Sequence, residues 1–295
     1  MIFTMTIKSI AIEVTSRAFL PEAHAYKNYL QNRGYCCEFV NKGSAESLSY
    51  DAIVLFHGFH PFWRRYPDFI IGEYHSLSVG RLSRLKDFIK RLLNVRADFY
   101  VFLNESVKKK IWHSKTRPYV LRGMGFDQDQ FNSFKKEPKK YDIIYAGSPR
   151  EGLIERLETL ASLDLTIALV GFDYAFQNSG ITCFGRRSPE ETRKIISQSH
   201  LGLNYTPDVF PLNIQDSTKV IEYCGAGLGV ITNRYVWVNE FERRRSARFL
   251  DLDLIGSKND VAEFNFVVPD VSDLDWNKLS ANVYESLFQS SASLS

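Results

Sequence analysis

Short apolar runs alternate with helical patterns along the first half of the chain. Residues 7–14 read as a strand and 21–33 as a helix that Gly34 stops. Further strands are expected at 36–40, 52–56, 69–71 and 99–103, with a helix over 81–95. This alternation predicts a parallel sheet covered on both faces. A charged stretch without strand character, 132–140, interrupts it and is the expected linker. The rhythm then restarts. Strands are expected at 141–146, 165–170, 181–184, 201–205 and 229–232, helices at 150–162, 189–199 and 217–224, and a last helical segment at 272–288.

The fold class that follows is α/β, two Rossmann-like domains in tandem. The expected divisions are 1–135, 136–274 and a closing helix, 275–295, that packs back on the first domain. In doubly wound sheets, ligands sit beyond the carboxyl ends of the strands. Two such domains would face each other across a central cleft, which makes the loops after strands the segments to inspect.

Among those segments, residues 218–232 are the most informative. Lys219 and Glu222 stand three apart, so a helix there projects both from one face. The pair suits a nucleotide diphosphate, lysine toward phosphate and carboxylate toward the ribose hydroxyls; the plainer reading is a solvated ion pair. Just before it, Asp216 or Ser217 is a candidate N-cap, so this helix also offers an anion-binding end. After the strand at 141–146 come Gly147, Ser148 and Arg150, opening a helix. Small residues admit a phosphate close to the backbone N–H groups, and an arginine can grip it. This turn is neither G-x-G-x-x-G nor a P-loop, which counts against dinucleotide oxidoreductases and NTPases.

In the first half, Glu73 and His75 follow an apolar strand, and His57 follows another. These are the candidate catalytic residues. The aromatics around His57 and His60 (Phe56, Phe59, Phe62, Trp63) offer flat faces for sugar rings. Over 81–95, Leu82, Leu85, Ile89 and Leu92 recur at helical spacing, widened by Phe88 and Leu93, while Arg84, Lys86, Lys90 and Arg91 fall outside the stripe. The expected reading is a helix covering the sheet with solvated lysines. The alternative is a basic helix lying on an anionic membrane surface, with Lys108, Lys109 and Lys110 extending the basic rim.

Composition changes this picture little. Net charge is only +3, so wholesale nucleic-acid binding is not implied. Cys36, Cys37, Cys183 and Cys224 show no C-x-x-C spacing and read as thiols of a reducing compartment. No zinc-ligand spacing is present, and no metal site is expected. The N-terminus lacks the features of a signal peptide, and a cytoplasmic protein is expected.

Taken in order, these segments resemble the nucleotide-sugar glycosyltransferases of the GT-B fold, closest to the retaining group called family four. Residues 219–227 are similar to the signature K-x-x-E-Y-x-x-x-G. His75 matches the family's cleft histidine, Tyr145-Ala146-Gly147 the opening of its second domain, and Phe184-Gly185 the wall of its nucleobase pocket. The chain departs from the pattern at Ile214, where a second glutamate is usual, and at Glu151, where a lysine is.

The resemblance implies sugar transfer to a glycan or lipid-linked acceptor, with no cofactor beyond the donor and no metal. By analogy the setting is cell-surface polysaccharide assembly, at the inner face of the membrane where the acceptor is carried on lipid. Glu222 would hold the ribose. Arg150, Lys219 and N–H groups near Ser217 and Thr218 would hold the diphosphate, and His75 would sit at the reaction centre. A nucleotide-sugar epimerase or hydrolase and a non-catalytic sugar-binding protein are the alternatives.

Overall fold

The computed structural model of the chain describes residues 7–15, 20–56, 58–78, 82–110, 117–134 and 137–293. His57 and Arg81 therefore lie outside the described residues. The chain divides into two compact units, 1–123 with 276–295, and 124–275.

The first unit runs β1 (Ser9–Val14), α1 (Pro21–Asn32), β2 (Cys36–Asn41), β3 (Ala52–Phe56), β4 (Phe69–Tyr74), α2 (Ser83–Leu93), β5 (Phe99–Phe102), α3 (Glu105–Lys110) and β6 (Tyr119–Leu121). Its sheet is parallel, in the order β2-β1-β3-β4-β5-β6. Ile10, Ile12, Val54, Ile71 and Val101 alternate onto one buried face. There they meet α1 and the last helix, α10 (Trp276–Ser293), which returns to this unit. Tyr284 locks the two helices, standing edge-on to Tyr26 at 5.4 Å and stacked on Tyr29 at 5.9 Å.

The second unit runs α4 (Gln128–Asn132), β7 (Tyr141–Ala146), α5 (Leu153–Ser162), β8 (Ile167–Val170), β9 (Ile181–Cys183), α6 (Pro189–Ser197), β10 (Ser199–Asn204), α7 (Thr218–Gly225), β11 (Gly229–Thr232), α8 (Val236–Arg245), β12 (Leu250–Asp251) and α9 (Lys258–Ala262). This sheet too is parallel, ordered β12-β11-β10-β7-β8-β9. Apolar clusters cover both its faces. Strand order reverses between β7 and β10, which places the loops after these two strands at the switch point, where doubly wound sheets bind ligands.

Three expectations shift. The strand expected at 69–71 continues to Tyr74, so Glu73 lies inside β4 rather than after it. Its charge reads as a strand end, but Arg122, just past β6, neutralises it within the fold. The charged stretch at 132–140 is not where the units part. Lys139 Nζ donates to the carbonyls of Ser197 and Ser199 at 3.0 and 2.6 Å, tying that segment to the second unit. The helix expected at 272–288 begins at Trp276, after a 3-10 turn at Ser272–Leu274.

α2 departs furthest from its expected role. Asp87 and Lys90 face the protein, bonded to the backbone N–H and the hydroxyl of Ser78 at 3.2 and 2.9 Å. Leu85, Phe88 and Leu92 point outward, so it does not cover the sheet with its apolar stripe.

Candidate functional site

In the second unit, the carboxyl ends of β7, β8, β9 and β10 carry Gly147, Gly171, Phe184 and Tyr205. Gly147 N–H donates to Val170 O at 2.9 Å. The two glycines leave room for close packing. A Cβ on Gly171 (φ +124°) would come 2.1 Å from Gly147 O, and a Cβ on Gly147 would come 2.3 Å from Lys219 Cε. Lys219 thus lies directly over the β7 turn. Tyr223 sets that position, because its hydroxyl accepts from the N–H of Ala146 at 3.0 Å and ties α7 to the end of β7.

Ser217 is the N-cap of α7. Its hydroxyl accepts from Val220 N–H at 3.4 Å and donates to Asn204 at 2.9 Å. Asp216 is not the cap; its carboxylate accepts from the backbone N–H of Met124 at 3.2 Å. Thr218 and Lys219 open the first helical turn, whose N–H groups no earlier helical carbonyl can accept.

Lys219 and Glu222 share one helix, yet no ion pair joins them. Both keep some surface exposure while protein atoms enclose them. Burial, aided by the like charge of Arg150, brings the Lys219 ammonium down to about 8. Burial also pushes the Glu222 carboxyl up to about 7, against the pull of Lys219 and Arg193. The solvated ion pair is therefore not what forms. Instead a carboxylate and three cations converge without satisfying one another. The Nε atoms of Arg150 and Arg193 are buried and have no hydrogen-bond partner. Buried polar atoms without a partner are costly, and a ligand is one source of the missing bonds.

Ser148 is exposed, and its carbonyl accepts from the Tyr145 hydroxyl at 2.7 Å, which shapes the turn. Helix α5 begins at Leu153, later than the expected 150, leaving Arg150 in the loop. Phe184 packs edge-on to Tyr141 at 5.9 Å and lines an open recess with Phe172, Asp173, Gly185, Arg186 and Arg187.

In the first unit, His75 follows β4 directly. Its Nδ1 is buried, 3.4 Å from Glu22 Oε1, while the ring keeps about a quarter of its side-chain exposure. Glu22 is buried in the first turn of α1, where the helix dipole favours a carboxylate. Glu73, only 1% exposed, accepts from Arg122 at 2.6 Å; the guanidinium also bonds Gly123 O and lies 5.1 Å from the Trp276 ring. Burial raises the Glu73 carboxyl above its usual range, and Arg122 opposes that rise.

Ligand atoms of Glu22, Glu73 and His75 fall within 4.8 Å of one another, the spacing of a cation site. The buried Arg122 guanidinium already stands against Glu73 there. His60, by contrast, is built into the core, with Nε2 2.7 Å from Phe56 O and Nδ1 3.2 Å from Glu13.

Sequence reasoning placed Glu73, His75, Gly147, Ser148, Arg150, Phe184, Ser217, Thr218, Lys219 and Glu222 at strand ends or helix starts. It gave no role to Glu22, Arg122 and Arg193. Glu22 stands in the first turn of α1 and Arg193 within α6, neither next to a candidate residue in the sequence. Their partners are distant in sequence, so no local spacing marks them.

No family model matches the chain, and no curated protein matches it in sequence. Solved structures do match. The UDP complex of Alr3699/HepE from Anabaena has a TM-score of 0.61 at 13% identity, over 98% of this chain and 99% of that one. AviGT4, a glycosyltransferase involved in avilamycin A biosynthesis, has a TM-score of 0.55 at 10% identity, over 97% and 96%. UDP-GlcNAc 2-epimerase from Methanocaldococcus jannaschii has a TM-score of 0.54 at 10% identity, over 95% and 99%. At such identities the likeness is one of fold: this chain has the GT-B fold, two Rossmann-like domains built on parallel sheets.

Proposed function

We propose that the protein transfers a sugar from a nucleotide-diphosphate donor to a hydroxyl of a glycan or lipid-linked acceptor. The observation that carries this reading is the enclosed, unpaired Lys219 and Glu222 beside the β7 turn. A nucleoside diphosphate has complementary chemistry in one molecule: anionic oxygens for Lys219, Arg150 and the first N–H groups of α7, and ribose hydroxyls for Glu222. The Phe184 recess takes the base. Fixed cations and helix N–H groups, already in place before reaction, stabilise the leaving diphosphate without a metal. His75, whose Nδ1 lies 3.4 Å from Glu22 Oε1, sits at the reaction centre, near the donor phosphate and sugar. Glu73 serves the same strand end by balancing Arg122. Alr3699/HepE, of like fold, has been crystallised with UDP and with UDP-glucose.

The test pairs binding with product analysis. UDP-glucose titrated into the protein should bind with a calorimetric signal that Lys219→Met lowers about 10- to 100-fold, the loss of a charge-assisted contact. Undiminished binding to Lys219→Met would remove the diphosphate assignment. Anomeric NMR of the transfer product distinguishes retention, the outcome the family resemblance implies, from the inversion expected of direct displacement with His75 as base. Turnover that EDTA abolishes would refute the metal-free reading. A second reading rests on the UDP-GlcNAc 2-epimerase of like fold. Conversion of UDP-GlcNAc to its 2-epimer with no acceptor present would establish it.

A further inference from the structure

Surface helices ordinarily turn their apolar stripe inward. α2 does the reverse. Leu85, Phe88 and Leu92 are 52%, 52% and 57% exposed, and Leu82 just before the helix is exposed as well. The polar face is the one tied down, Asp87 and Lys90 both bonding to Ser78. Next to the end of this helix stands a second apolar group. Phe62 N–H donates to Leu93 O at 2.8 Å, and Phe62 and Trp63, 60% and 61% exposed, stand edge to face at 5.1 Å. Arg91 reaches Lys110 O at 3.5 Å, bringing the Lys108–Lys110 end of α3 alongside. Lys86, Lys109 and Arg65 are exposed around these apolar groups. Within α2 four basic residues stand against the single acid Asp87.

An outward apolar stripe on a cationic helix, with an exposed tryptophan beside it and lysines around it, has the chemistry of the boundary between acyl chains and anionic headgroups. We propose that α2, with Phe62 and Trp63, docks the first unit on an anionic lipid surface, lying in the interface plane rather than crossing it. Among the described residues, no helix is long and apolar enough to cross a membrane. The proposal rests on the exposed face alone and stands apart from the donor-binding reading.

Flotation of the full chain with phosphatidylcholine vesicles, with and without phosphatidylglycerol, tests it. Binding should require the anionic lipid and fall with salt. Leu85→Glu with Phe88→Glu should lower partitioning at least about tenfold, since each removes an apolar side chain from the bilayer. Lys86→Glu should lower it severalfold, by loss of one headgroup attraction. Leu254→Glu, at a leucine still more exposed but in the second unit, is the control and should float as the parent does. Circular dichroism and melting temperature, unchanged for these exposed positions, separate lost docking from misfolding. Equal binding to neutral vesicles, no binding at all, or full binding by the double variant would overturn the proposal. So would a lipid-free dimer, seen by sedimentation, that Leu85→Glu with Phe88→Glu disperses.

Discussion

Replacing Glu222 by glutamine should make the ligand-free protein more stable and the donor complex weaker. Burial lifts the Glu222 carboxyl from an ordinary 4.5 to about 7. Its neutral form is thus the one the fold prefers. The stability this confers is fully present below pH 4.5 and is lost as pH rises through about 7. A tenfold change in an ionisation constant is worth about 1.4 kcal/mol. At pH 8 the ionised carboxylate therefore costs the fold roughly 3 kcal/mol, and at pH 5 about 1. Glutamine removes that cost while keeping the shape. The attraction of Lys219 and Arg193 is already contained in the value of about 7, so it offsets nothing further. A gain of roughly 2–3 kcal/mol at pH 8, shrinking to about 1 kcal/mol or less at pH 5, is expected, or about 4–12 °C in melting temperature at the higher pH. Differential scanning calorimetry of parent and variant at both pH values reads it. Calorimetric titration with UDP-glucose should show binding weakened about 10- to 100-fold. An unchanged or lower melting temperature at pH 8, or the same gain at pH 5, would refute the reasoning on burial. Undiminished binding would refute the role.

Three further outcomes follow from the same geometry. Glu22→Gln should lower kcat about tenfold or more, leaving the donor KM as it was; a change in KM alone would show that Glu22 does not act through His75. Glu73→Ala leaves Arg122 buried and unpaired, and urea unfolding should register a loss of about 3–5 kcal/mol; a collapse of kcat with unfolding unchanged would make Glu73 a catalytic residue instead of a support. Gly171→Ala puts a Cβ into Gly147 O from a left-handed backbone, so a loss of about 1–3 kcal/mol and weaker donor binding are expected, and a variant as stable as the parent would contradict that close approach.

The sequence by itself determined what depends on near neighbours. Apolar runs of strand length between helical patterns specified two parallel sheets, because a strand buried on both faces must be apolar along its length. The spacing of Lys219 and Glu222 put both on one helical face, and Ser217 could be read as a cap. Tertiary structure decided everything that joins distant positions. Whether Lys219 and Glu222 neutralise each other depends on how closely other atoms surround them, which spacing cannot tell. Glu73 looked like a strand end because the arginine that buries it lies 49 residues away. Glu22 gained a partner only when α1 packed beside the end of β4. The stripe on α2 is plain in the sequence, but whether it faces the protein or the solvent is not. Ser78, bonding Asp87 and Lys90, settled that by holding the polar face inward.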